Sequence, residues 1–132
     1  MAVKSKILMI DDDPDFVNAT REALENRGYE VFAAENGEMG LELARKIKPD
    51  LILLDIIMPA RNGFSTAEQL KKDTQLKNIP TLMLTAFSSK HAESTIPVGR
   101  GLELEVEDYI DKSAGTDELL KRIADQLKKV NK

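Results

Sequence analysis

The chain has 132 residues, no cysteine, 19 basic and 23 acidic residues and a net charge of -4, which supports a single domain, residues 1-132, with one good core. Without cysteine there is no disulfide framework, thiolate nucleophile or thiolate-ligated metal, and without an arginine-rich or aromatic-basic face direct nucleic-acid binding is not expected. No stretch approaches the roughly 18 apolar residues of a membrane span, and the opening MAVKSKILMI meets acids before it could serve as a signal peptide, so the chain is expected to be cytoplasmic.

Lys6 to Ile10 is a short apolar strand that runs into Asp11, Asp12 and Asp13. Asp13 before Pro14 fits a helix N-cap with proline at the first helical position. That leaves Asp11 and Asp12 without a structural task. The helix that follows runs to about Asn26, with Phe16, Thr20, Ala23 and Leu24 at helical spacing and Gly28 as its stop. Tyr29 to Ala33 reads as a second strand and Glu35 to Gly37 as a loop. Leu41, Ala44 and Ile47 mark the core stripe of a second helix that ends before Pro49. Leu51 to Leu54 is an apolar run without alternation, the pattern of a strand buried on both faces of a parallel sheet, and Asp55 is the first charge after it.

Pro59 to Asn62 is turn material, and Gly63 opens a third helix with Phe64, Ala67 and Leu70 facing inward. Asp73 to Asn78 is a polar linker. Pro80 then precedes a fourth strand, Thr81 to Leu84, which ends at Thr85. Between Phe87 and Glu107 the residues Pro97, Gly99 and Gly101 break any long helix, so a short or irregular fourth helix is expected. A fifth strand, at least Asp108 to Ile110, with a start as early as Leu102 allowed by the alternation of Leu102, Leu104 and Val106 with acids, leads to Lys112. Thr116, with Asp117 and Glu118, caps a last helix carrying Leu120, Ile123 and Leu127.

Strands alternating with helices, without a hairpin signal, imply an α/β fold: a doubly wound five-stranded parallel sheet with helices on both faces. Right-handed crossovers restrict the topology, and the strand order 2-1-3-4-5 is expected. Strands 1 and 3 then adjoin at the switch point, with Asp11 and Asp12 beside Asp55 in the crevice outside the carboxyl ends of the strands. Converging carboxylates repel each other, and a divalent cation resolves the conflict. The available ligands are all oxygen and His91 is remote in this layout, so Mg2+, or Mn2+, is favoured over zinc. Thr85 and Lys112, at the ends of the last two strands, would offer a phosphoryl group a hydroxyl donor and a point positive charge.

IDDDP at 10 to 14, LLDIIMPARNG at 53 to 63, LTA at 84 to 86 and YIDK at 109 to 112 resemble, in order and spacing, the receiver domain of two-component response regulators. The resemblance implies a flavodoxin-like fold and a phosphoacceptor switch of a phosphorelay, not a turnover enzyme. Asp55 would take a phosphoryl group from a histidine kinase or histidine phosphotransfer protein as an acyl phosphate. Asp12, Asp55 and the backbone carbonyl of Ile57 would bind Mg2+ directly, and Asp11 would help through water. Lys112 would pair with the phosphoryl oxygens, while Thr85 would move towards them and couple to a rotation of Tyr109. The implied output is a changed surface read by a downstream protein partner or a second copy of the chain, with no output domain expected here.

Some features depart from the family's pattern. Thr85 and Lys112 are 27 positions apart, several more than usual, and the excess falls around Pro97, Gly99 and Gly101. Lys112 is followed by Ser113, where the family commonly has proline in a cis bond. A cis bond before serine costs about 2.5 to 4 kcal/mol, so a trans bond and a displaced Lys112 are expected. Ile57 and Phe87 occupy positions that border the path of the hydrolytic water in related domains, and both are apolar. Slow self-dephosphorylation is therefore expected, with a half-life longer than seconds. Two other functions fit parts of the pattern. A Mg2+-dependent phosphatase with an aspartyl nucleophile would carry Asp-x-Asp-Gly-Thr after its first strand, and here Pro14 and Asp15 follow Asp13. A degenerate receiver used only as a binding module would have no need of Asp12, Asp55, Thr85 and Lys112 together.

Overall fold

The computed structural model describes residues 4–55, 63–85 and 108–130. Its strands are β1 (Lys6–Ile10), β2 (Glu30–Ala34), β3 (Leu51–Asp55), β4 (Thr81–Thr85) and β5 (Asp108–Asp111), and its helices are α1 (Pro14–Asn26), α2 (Gly37–Ile47), α3 (Gly63–Lys72) and α4 (Thr116–Val130). The sheet order is β2-β1-β3-β4-β5 with every neighbouring pair parallel, as the alternation of strands and helices implied. The short helix expected after Phe87, and the insert around Pro97 to Gly101, lie outside the described residues.

The unbroken apolar run of β3 has a simple cause. Leu51 and Leu53 face a core built with Ile7, Met9, Leu24, Leu120 and Ile123, under α1 and α4. Ile52 and Leu54 face the other core, built with Leu8, Ile10, Leu41, Ala44 and Leu70, under α2 and α3. All four β3 side chains are fully buried, and burying each stabilises the fold by about 1.5 to 3 kcal/mol. With both faces apolar, alternation cannot fix the strand's register. Asp55 does so instead, because a one-residue slip would draw its carboxylate into a core.

Helix ends follow local chemistry. Asp13 caps α1, its Oδ1 accepting from the N–H groups of Asp15 at 3.1 Å and Phe16 at 3.3 Å. Gly37, expected in a loop, is instead the first residue of α2, because the Asn36 side chain accepts from Met39 N–H at 2.9 Å and serves as the cap. Thr116, expected as a cap, is the first residue of α4. The cap position belongs to Gly115, with φ of 97° and a carbonyl that accepts from Leu119 N–H at 3.2 Å. On the open side of the sheet, β2 begins one residue later than expected, at Glu30. Glu30 N–H bonds Ser5 and Ala34 C=O bonds Asp11, so these even-numbered positions face β1 and Val31 faces outward. The Val31 carbonyl accepts from the Arg21 guanidinium of α1 at 2.9 Å.

The linker after α3 is less polar in effect than in composition. Leu76 is 1% exposed, folded inward because Leu76 and Lys77 N–H both donate to the Asp73 carbonyl. The Asp73 carboxylate accepts from Gln75 N–H at 2.8 Å and from Arg45 Nε of α2 at 3.0 Å. The Gln75 bond first, and Arg45 second, hold this carboxyl below its ordinary value of 3.8. Its contribution to stability is therefore present above that value and is lost as pH falls through the lower, folded one. In an NMR titration Asp73 is expected to have a midpoint below 3.8. Arg45→Gln should raise the midpoint without restoring it, since the Gln75 bond remains; a midpoint at or above the ordinary value would contradict this account.

Candidate functional site

Ile10 of β1 pairs with Leu54 of β3, so the residues that follow them, Asp11 and Asp55, emerge side by side at the carboxyl end of the sheet. They are 3% and 4% exposed, an unusual degree of burial for carboxylates. Asp12 is exposed beside them. One carboxylate oxygen from each of Asp11, Asp12 and Asp55 lies within 4.8 Å of the others. The Asp11 backbone is fixed by its N–H bond to the Ala34 carbonyl at 3.0 Å, and its Oδ1 accepts from Asp13 N–H at 2.9 Å.

Lys112 answers this cluster. Its Nζ lies 2.8 Å from Asp11 Oδ2 and 3.4 Å from Asp55 Oδ2. Asp11 Oδ2 is fully buried, and the Lys112 ammonium stands against it as a close ion pair. Burial pushes the Lys112 ammonium down, but the contact with Asp11 and the charges of Asp55 and Asp11 outweigh it, and the net direction is upward. One ammonium does not balance three carboxylates, so the cluster retains excess negative charge. Its donors are all oxygen and close together, which fits a hard divalent cation such as Mg2+. Asp11, Asp12 and Asp55 are the residues that would hold it. The Ile57 carbonyl lies outside the described residues.

The displacement expected for Lys112 does not occur. No peptide bond among the described residues is cis, yet Lys112 reaches both acids. Asp111 explains how the loop is held, since its Oδ1 accepts both from Ser113 N–H at 2.9 Å and from Ser113 Oγ at 2.8 Å. This pair of hydrogen bonds to one side chain fixes the short 3-10 turn Lys112–Ala114 without a proline ring. The signal was present in the sequence as an Asp two positions before a Ser, a local pattern in which a carboxylate commonly bonds the backbone.

The remaining predicted positions are spread around the crevice. Thr85 ends β4 in register with Asp111, and its side chain lies outside the described atoms. Tyr109 is half-buried and packs against the core under α2 and α3; that burial pushes its phenol up. Phe16 was legible only as a core residue, and it also lies 4.6 Å, ring centroid to Nζ, from Lys112. No described helix is long and apolar enough to cross a membrane.

A doubly wound sheet with this acidic cluster at its switch point defines a flavodoxin-like α/β protein with a cation-compatible crevice. Residues 7–124 match the model of the response regulator receiver domain, and the chain belongs to that family. It is 38% identical over 119 residues to protein PilH of Pseudomonas aeruginosa, covering 90% of this chain and 94% of PilH. It is also 38% identical over 119 residues to the transcriptional regulatory protein CpxR of Escherichia coli, but covers only 47% of that protein. The chain likewise spans about half of the DNA-binding regulator RpaA of Synechocystis, at 51%. Among solved structures, the signal receiver domain of a signal transduction histidine kinase from Syntrophus aciditrophicus superposes with a TM-score of 0.83 at 28% identity, covering 96% of this chain and 92% of that one. Chemotaxis response regulator CheY4 of Vibrio cholerae gives 0.79 at 28% identity, covering 92% and 98%.

Proposed function

We propose that this receiver domain is a phosphoacceptor switch in which Asp55 accepts a phosphoryl group from the phosphohistidine of a histidine kinase or phosphotransfer protein. The observation that carries the proposal is the placing of Lys112 against Asp11 and Asp55, which sets a cation beside a buried carboxylate in an oxygen-only acidic crevice. In the transfer an Asp55 carboxylate oxygen attacks phosphorus, the phosphorus–nitrogen bond of the donor breaks, and the imidazole leaves with its electron pair and takes up a proton. Bound Mg2+ would offset the carboxylate charge and screen the incoming phosphoryl oxygens. Asp11 and Asp12 hold negative charge at that position without competing for phosphorus. Lys112 meets the oxygens that arrive on Asp55, and the Thr85 hydroxyl is the second donor.

The added charge, about -1.5 to -2, and three acceptor oxygens give Thr85 and Lys112 new partners, with Tyr109 following Thr85. The result is a changed surface for a downstream protein or a second copy of the chain. Residues 1-132 act as one receiver unit in the cytoplasm, accepting a phosphoryl group without turnover and without touching nucleic acid themselves.

Incubation with acetyl phosphate and Mg2+, followed by intact-mass analysis, tests this. A single phosphoryl adduct is expected, absent in Asp55→Asn and in chelator, and persisting for longer than seconds after donor removal. An adduct retained in Asp55→Asn would move the acceptor elsewhere. Failure with both acetyl phosphate and a phosphorylated histidine phosphotransfer protein would leave a binding module.

A further inference from the structure

The Lys112 ammonium has a neighbour of a different kind from Asp11 and Asp55. Its Nζ stands 4.6 Å from the centre of the Phe16 ring, inside the roughly 6 Å over which an aromatic face attracts a cation. Phe16 is set there by the start of α1, where Asp13 caps the helix, Pro14 takes the first position and the Phe16 N–H bonds Asp13. The half-buried ring is braced from behind by the core under α1 and α4. Beside it lies a cavity of about 140 Å3 whose walls include Phe16, Leu84, Ile110, Lys112, Thr116 and Leu119.

We propose that Phe16 is a positioning residue for Lys112, its ring face carrying the ammonium as it turns from Asp11 towards the phosphoryl group on Asp55. The inference rests on the reading of Asp55 as acceptor. Asp11 is the closer partner, at 2.8 Å against 3.4 Å, and by itself would hold the ammonium back. To meet oxygens added at Asp55, the ammonium must loosen that ion pair inside a half-buried site, where an unpaired charge is costly. Attraction to a ring face is spread over its area and has no single direction, so it persists through a short swing that would break a hydrogen bond. A leucine at this position would brace the core as well but would offer the cation nothing.

The test replaces Phe16 in the full chain by mono-, di- and trifluorophenylalanine, which keep the ring's shape while draining the negative charge from its face. The rate of adduct formation from acetyl phosphate and Mg2+ is followed by intact mass, in the natural background and in Lys112→Met. In the natural background the rate is expected to fall stepwise with each fluorine, about three- to tenfold by the trifluoro ring. Phe16→Leu should match the trifluoro variant and Phe16→Trp should recover the rate. In Lys112→Met the series should be flat. A rate indifferent to fluorine number, or an equal decline in Lys112→Met, overturns the proposal, because a ring that only packs would give one of those results. If the natural chain takes up no phosphoryl group from acetyl phosphate or from a phosphorylated histidine phosphotransfer protein, the acceptor reading fails while the placement of Lys112 is still decided by NMR. Lys112 ε-methylene protons shifted upfield in the natural chain and relaxed in Phe16→Leu support the placement, and unshifted protons overturn it.

Discussion

Lys112→Met is expected to cost about 3 kcal/mol of folding stability in chelator, with much of the loss recovered on adding Mg2+. Removing the ammonium leaves Asp11 and Asp55, both almost fully buried, facing each other without the cation that stands 2.8 and 3.4 Å away. Breaking a buried pair from one side leaves an uncompensated charge, which is why the effect exceeds that of a surface ion pair. Methionine keeps most of the aliphatic stem, so lost packing contributes little. A divalent ion binding the folded state adds stability by mass action, and in the variant it need not compete with an ammonium. Urea unfolding with and without Mg2+ measures both effects. The direction of the Lys112 shift sets the pH window. Because its pKa rises on folding, its contribution is complete below the ordinary 10.5 and is lost only as pH climbs through the higher, folded value. The gap between natural protein and variant should thus stay level through neutral pH and close in strong alkali. A variant as stable as the natural chain in chelator, or indifferent to Mg2+, would show that the ion pair is not what holds the crevice together.

Gly40→Ala is expected to destabilise the fold by about 2 kcal/mol through overpacking and to weaken Mg2+ binding as well. A Cβ at Gly40 would overlap Ile10 Cδ1 and sit 2.7 Å from its Cγ1, so either the side chain or α2 must move. Ile10 is fully buried and immediately precedes Asp11, which ties the helix position to the metal-compatible cluster. Ile10→Val removes the nearest atom, and in the Gly40→Ala background it should cost less than it does alone, a non-additivity expected of touching residues. Additive losses in a thermal-unfolding cycle would place the strain elsewhere.

These residues also show what could be read in the sequence. The apolar run of β3, the Asp13–Pro14 start of α1 and the strand order followed from composition and spacing, because each reflects a rule that acts within a few residues or on the whole chain. That order put Asp11, Asp12 and Asp55 together. What spacing could not supply was the partner of each side chain: the resemblance gave Asp11 a water-mediated place at the metal and said nothing of Lys112, to which Asp11 stands nearer than Asp55 does. The family's missing proline after Lys112 suggested a displaced loop, whereas Asp111 and Ser113 hold the turn by other means. Phe16 followed the helical period of a core stripe, and period alone does not distinguish a ring that only packs from one that also faces a cation. Leu76 was hidden in a polar linker because its inward turn depends on Asp73 and not on any pattern of apolar residues.

The Arg21 bond to the Val31 carbonyl bears on how copies of the molecule can associate. An outermost strand normally offers its unpaired backbone groups to any passing strand, which is how sheets fuse and aggregates grow. Here a guanidinium from α1 already occupies one of the outward carbonyls of β2, and a strand docking along that border would have to displace it. Growth of the sheet past β2 is thereby disfavoured, and self-association through side chains elsewhere on the surface does not have to contend with it.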